Sequence, residues 1–171
     1  MSLKRQPPWL SRRYRSEMVS QGGTLMDFLT SAIRKFLSVE RRDRELLLQA
    51  AFLVGLTRIG LSTLQFRAVQ RLLAGLAQVP RPSRKGRQPS VDRLVWSVVA
   101  TAGYMPRATC LTQALAAHVL LRWYRYPSSV HIGVTRGQPG QLRGHAWLES
   151  RGRIVLGGQD FAQYTRLVGV A

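Results

Sequence analysis

At 171 residues and 45% hydrophobic content, the chain is long enough to bury a substantial core as one globular domain. Its single cysteine excludes an internal disulfide framework, and with it a secreted, disulfide-stapled scaffold; a reducing cytoplasm is the expected compartment. The net charge of +18 comes mostly from 23 arginines spread from end to end without a helix-turn-helix, zinc-finger or RNA-recognition signature, so no specific nucleic-acid reading is expected, while acidic peptides and the anionic face of a membrane suit the charge.

Residues 1–24 are rich in Arg, Pro, Ser and Gly and read as a basic tail, too polar and too basic for a signal peptide. From Thr24 the periodicity turns helical, with Met26, Phe28, Leu29, Ile33, Phe36 and Leu37 at three- and four-residue steps. Residues 40–57 predict a second helix whose Leu46–Leu56 segment is apolar nearly all round. Interrupted by Gln49 and stopped by Arg58, that run is shorter than the roughly 20 apolar residues of a membrane span. A buried helix is expected, with peripheral membrane contact as the lesser use. Residues 61–78 predict an amphipathic helix carrying Leu64, Phe66, Val69, Leu72, Leu73 and Leu76. Residues 25–79 thus form a helical extension, and 80–90, with three prolines and a glycine among four basic residues, form a linker.

Residues 91–171 make the expected core. Ser90 or Asp92 starts a helix ending near Gly103, and a second helix spans 108–124, closed by Pro127. Val130, Ile132 and Val134 alternate as a strand. Gly137–Gly140 is a turn, and Leu142–Glu149 alternates again. Arg151-Gly152 makes a short hairpin into a third strand, Arg153–Leu156, which Gly157-Gly158 ends.

The chemistry-bearing residues lie in this second part. With Thr109 or Ala108 as the cap, Cys110 falls in the first turn of its helix, behind Pro106-Arg107-Ala108-Thr109. Free first-turn N–H groups and the positive end of the helix dipole favour a thiolate there, and Arg107 adds positive charge. A lone cysteine is more often a small buried hydrophobe; the helix-start position argues against that here. His145, between Gly144 and Ala146, is the candidate base. After Asp92 only Glu149 and Asp160 are acidic. Glu149 is four residues along the strand from His145, roughly 13 Å at strand rise, too far to orient the imidazole. Asp160, beyond a hairpin and a return strand, is the better orienter, and Asp160→Asn is expected to slow turnover sharply. His131 ranks second as base. His118, about 80° around the helix from Cys110, reads as structural. Trp147 suits packing over the site or in the core. The Cys110 N–H is one candidate oxyanion donor. Three scattered histidines and one cysteine offer no metal-ligand spacing, and no phosphate loop is present, so no metal or cofactor is called for.

Ala-Thr-Cys-Leu-Thr-Gln-Ala-Leu (108–115), His-Ile-Gly-Val (131–134), Gly-His-Ala-Trp-Leu-Glu (144–149) and Arg-Ile-Val-Leu-Gly-Gly (153–158) together resemble the lasso-peptide biosynthesis B protein, a transglutaminase-like family. The resemblance covers residues from about 90 to the end, and the helical segment from about 30 to 78 is similar to the family's N-terminal part. It implies an α+β fold with a papain/transglutaminase-like core, the cysteine helix packed on an antiparallel sheet behind an N-terminal helical extension. It also implies a cysteine peptidase that removes the leader from a ribosomally made precursor, with Cys110 as nucleophile and His145 as base. Some relatives place an aspartate where this chain has Gly157-Gly158, so Asp160 matches by role with a shift. The implied partners are the precursor's leader, a separate leader-recognition protein, since the N-terminal part reads as helices and leaves no room for a fused winged-helix domain, and an ATP-using macrolactam cyclase. The competing expectations are a transglutaminase or acyltransferase of the same fold, and a basic binding module whose triad is vestigial.

Overall fold

The computed structural model describes residues 40–79, 88–136, 142–158 and 164–170. The basic tail, the helix expected from Thr24, most of the linker, the Gly137–Gly140 turn and Asp160 lie outside the described residues. Among the described residues, four helices come first: α1 (Arg41–Thr63), α2 (Phe66–Gln78), α3 (Val91–Ala102) and α4 (Cys110–Trp123). Four strands follow: β1 (Ser129–Arg136), β2 (Leu142–Ser150), β3 (Arg153–Leu156) and β4 (Thr165–Val170). They form one antiparallel sheet in the order β3-β2-β1-β4.

α1 runs past Thr57, where a break was expected, to Thr63. Gly60, beyond the expected end, is buried inside the helix against α2; a Cβ there would meet Val69 at 3.4 Å. It permits close helix packing instead of ending the helix. The helix stops where the Ser62 and Thr63 hydroxyls donate back to the Arg58 and Ile59 carbonyls at 2.8 and 2.9 Å. Leu46, Ala50, Leu53, Val54 and Thr57 recur at helical spacing and are buried. Leu48, Phe52 and Ile59 are exposed. From Asp43 to Thr63 this helix is long and apolar enough to cross a membrane by length and composition, but its buried face is spent on α3 and α4.

The caps of α3 and α4 follow the sequence. Ser90 Oγ accepts from the Arg93 N–H at 3.3 Å, and Thr109 Oγ1 accepts from the Thr112 N–H at 3.3 Å. α4 ends before Pro127, the expected stop. The Arg125 N–H bonds the Arg122 carbonyl and the Tyr126 N–H bonds the Leu121 carbonyl, both at 2.9 Å, with Arg125 at φ +59°. This is a Schellman closure with arginine in the left-handed position that glycine usually takes.

α4 is the central element and packs on α1, α2, α3, β1 and β2. One hydrophobic core joins Leu53 and Val54 of α1, Val69 and Leu73 of α2, Leu94 and Val98 of α3, Leu115 and Leu120 of α4, and Val130, Ala146 and Leu148 of the sheet. Burying each large aliphatic side chain contributes about 1.5–3 kcal/mol. α1 and α2, expected as part of an extension, therefore share their core with residues 91–156, and Arg41–Ala171 is one compact unit. Polar ties brace the same contacts. The Trp123 indole donates to the Leu76 carbonyl at 2.7 Å, near the end of α2. Arg93 clasps Asp43 through two hydrogen bonds, one of 2.8 Å, tying α3 to α1.

In the sheet, β1 and β2 pair with Ser129 opposite Glu149 and Gly133 opposite His145. The hairpin between β2 and β3 turns through Arg151 (φ +51°) and Gly152 (φ +73°), the positive pair of a type I′ turn. β4, which pairs with the free edge of β1, was not expected from the sequence.

Candidate active site

Cys110 is the first residue of α4 and is half-buried. Thr109 takes the Thr112 N–H through its hydroxyl and the Gln113 N–H, at 3.1 Å, through its carbonyl. The Gln113 amide donates to the Ala108 carbonyl at 3.4 Å and steadies the approach to the helix. Arg107 precedes that approach at φ +61°, a left-handed conformation uncommon outside glycine. As a first-turn donor, the Cys110 N–H has no carbonyl of its own helix to bond.

His145 lies on β2, opposite Gly133 of β1. After Trp123 the chain turns back, bringing the Ser128 hydroxyl to 3.0 Å from His118 Nδ1 of α4. α4 packs on both β1 and β2, with Ala146 and Leu148 of β2 in the core they share. No hydrogen bond joins Cys110 and His145. Catalytic contacts are commonly long before substrate binds.

What holds His145 is a backbone oxygen. Its Nε2 lies 2.8 Å from the Gly157 carbonyl, just past the end of β3. Two rings flank it: Tyr164 at a centroid distance of 5.1 Å, and Trp147 stacked at 6.3 Å. Trp147 is itself buried, so the two roles expected for it, core packing and lining the site, coincide. Gly133 exists for this arrangement. A Cβ there would meet Trp147 Cζ3 at 2.9 Å, and the Thr165 carbonyl and Tyr164 Cβ at 3.0 Å.

The other candidates separate cleanly. Glu149, judged too distant from His145, pairs instead with His131, at 3.3 Å from its Nε2. That partnership leaves His131, buried and 5.7 Å from Trp147, in a cross-strand cluster. His118 is buried in α4, and burial, aided by the nearby Arg122 charge and opposed by its bond to Ser128, lowers its pKa to about 4. It is structural, as its helical position indicated. Among the described residues no group of histidine, cysteine and carboxylate side chains could hold a metal ion. Sequence reasoning missed the Gly157 carbonyl and Tyr164. The adjacent Gly157-Gly158 was the one available signal, since paired glycines mark a close backbone approach as well as a turn.

Residues 55–169, well over half of the chain, match the family described as the transglutaminase-like superfamily. The chain belongs to the transglutaminase-like superfamily. No curated protein and no solved structure matches it. The match begins inside α1, so the helices before α3 are partly within the superfamily's domain. The fold, a cysteine-bearing helix laid on a small antiparallel sheet, is that of the superfamily's cysteine-dependent proteases and acyltransferases.

Proposed function

We propose that this transglutaminase-like protein is a cysteine peptidase that removes the leader from a ribosomally made lasso-peptide precursor. The observation that carries the reading is a half-buried cysteine at the capped start of the central helix, in a chain whose strand histidine has its ring already held at one nitrogen. Cys110 is the nucleophile and His145 the base. The thiol proton passes to the imidazole as Sγ attacks the amide carbonyl. The C–N bond then breaks, the imidazolium protonates the leaving amine, and a thioester remains. Water attacks the thioester, gives a proton to His145 and returns the thiolate, which is reprotonated. The Cys110 N–H faces the oxyanion in both steps.

The partners in this reading are the precursor's leader, a separate leader-recognition protein, and the cyclase that uses the freed core peptide with ATP. The strongly basic chain suits an acidic leader. The reading is tested by mass spectrometry of precursor incubated with this protein and its recognition partner. Leader loss is expected with the native chain and none with Cys110→Ala or His145→Ala. Normal cleavage by Cys110→Ala would sink it. A joined product when an amine acceptor is added would shift the assignment to acyl transfer at the same cysteine.

A further inference from the structure

We infer that the backbone carbonyl of Gly157, in place of a carboxylate, is the group that orients His145. The inference deepens the peptidase reading and rests on its assignment of His145 as base. A carbonyl oxygen only accepts, so the 2.8 Å contact with Nε2 fixes that nitrogen as the one carrying the proton in the neutral ring. Nδ1 is then the ring nitrogen with a free lone pair, and it is the one available to the thiol proton.

The backbone around Gly157 is built to bring this oxygen there. Its φ is +72°, which side chains rarely adopt. A Cβ would sit 2.7 Å from the Ala146 carbonyl and 3.1 Å from Trp147 Cα and Cβ. Only glycine allows the chain leaving β3 to lie this close to β2, and the close approach is what puts its carbonyl within reach of the neighbouring residue's ring. The ladder irregularity between Leu148 and Glu149 marks the same stretch as one where regular strand pairing gives way. Tyr164 and Trp147 pack on the ring and limit its rotation. The sequence pattern gave the orienting role to Asp160. The geometry gives it to an atom every residue possesses, aimed by a residue that must be glycine.

The two orienters differ in chemistry. Both fix the tautomer, but a carboxylate also forms an ion pair with the imidazolium, whereas a carbonyl offers only a dipole. Gly157 is therefore a positioning residue, acting through His145. The test uses the full chain labelled with ¹⁵N, with imidazole resonances assigned against His145→Gln. The rate of Cys110 alkylation by iodoacetamide across pH supplies a second readout that needs no precursor. His145 is expected to carry its proton on Nε2 in the native chain and in Asp160→Asn. The alkylation rate and the pH at which it rises should agree between those two within about twofold. Gly157→Ala should lose the single tautomer and slow alkylation near neutral pH by about tenfold or more.

A proton on Nδ1 in the native chain overturns the inference. So does a change of tautomer, or a displaced pH profile, in Asp160→Asn. Both results are available even if Gly157→Ala does not fold. The outcomes also separate from those of the peptidase reading. An Nε2 proton with full leader cleavage by Cys110→Ala would leave the carbonyl assignment standing and remove the peptidase. An Nδ1 proton with cleavage lost in Cys110→Ala would do the reverse.

Discussion

The second half of α4, from Ala116 to Trp123, is buried at every position but Arg122, whereas its first residue is half-buried and its cap, Thr109, is exposed. Along one helix the sequence passes from the cysteine end, the reactive end of the proposed mechanism, held by polar bonds, to a core end held by packing. The core end carries Leu120 and Leu121 at zero exposure and a histidine kept neutral by burial. The reactive end carries the thiol, a hydroxyl cap and an unspent N–H. The two ends make separable demands: packing fixes where the helix lies, and that placement decides where its first turn points. Substitutions at the core end should therefore cost stability and leave thiol chemistry intact, and substitutions at the reactive end should do the opposite. Cys110→Ala, expected to abolish leader removal in a folded chain, is the extreme of the second kind.

The largest stability effect is expected from Leu120→Ala. Leu120 is fully buried in the cluster that joins the helices to the sheet, and removing its side chain leaves a cavity. The loss should be about 2–5 kcal/mol, read from the urea midpoint at unchanged slope. At temperatures where the variant remains folded, its Cys110 alkylation rate should match that of the native chain. A slowed rate in the folded variant would show that the two ends are not independent.

His118 gives the same core end a pH signature. Its pKa is lowered in the folded chain, so between pH 6.5 and about 4 the unfolded chain binds a proton that the folded chain does not. The stability associated with the neutral buried ring is fully present above pH 6.5 and is lost as pH falls toward 4. The full loss is on the order of 3 kcal/mol. His118→Gln, which can keep a bond to Ser128, should flatten the slope of stability against pH across that window. An unchanged slope would place the acid sensitivity in other groups.

How much of this was legible depended on whether the determining interaction was local. The Ser90 and Thr109 caps, the Arg151-Gly152 turn and the alternation of β1 and β2 are set by neighbours in sequence, and each appeared where expected. Cys110 and His145 were legible as residue types at the start of a helix and on a strand. The extent of α1 was not, because the apolar run stops at Arg58, while the turn beyond it, with Gly60, packs against Val69 of the next helix. β4 was missed for a similar reason. Thr165–Val170 acquires its strand identity by pairing with β1, more than thirty residues earlier, and no local turn joins the two. The orienting oxygen was the least legible feature. A main-chain carbonyl has no letter in the sequence, so a search for a third catalytic group among side chains could only arrive at a carboxylate.

The smallest effect bears most directly on the comparison between the two ends. Thr109 is exposed, and its contribution comes through its hydroxyl, which accepts from the Thr112 N–H at 3.3 Å and lies 3.1 Å from the Thr112 hydroxyl. Thr109→Ala removes that acceptor and should cost about 1 kcal/mol, while Thr109→Ser, which keeps it, should restore most of the loss. Global stability therefore registers Thr109 less than Leu120. Thiol chemistry should register it more, because the first turn that loses its cap contains Cys110 and the N–H expected to face the oxyanion. The Thr109→Ala chain should thus show a small shift in urea midpoint together with a changed rate of Cys110 alkylation. A loss of several kcal/mol instead would mean that the cap also supports the core, and that the reactive end of α4 helps hold the helix it was thought only to inherit.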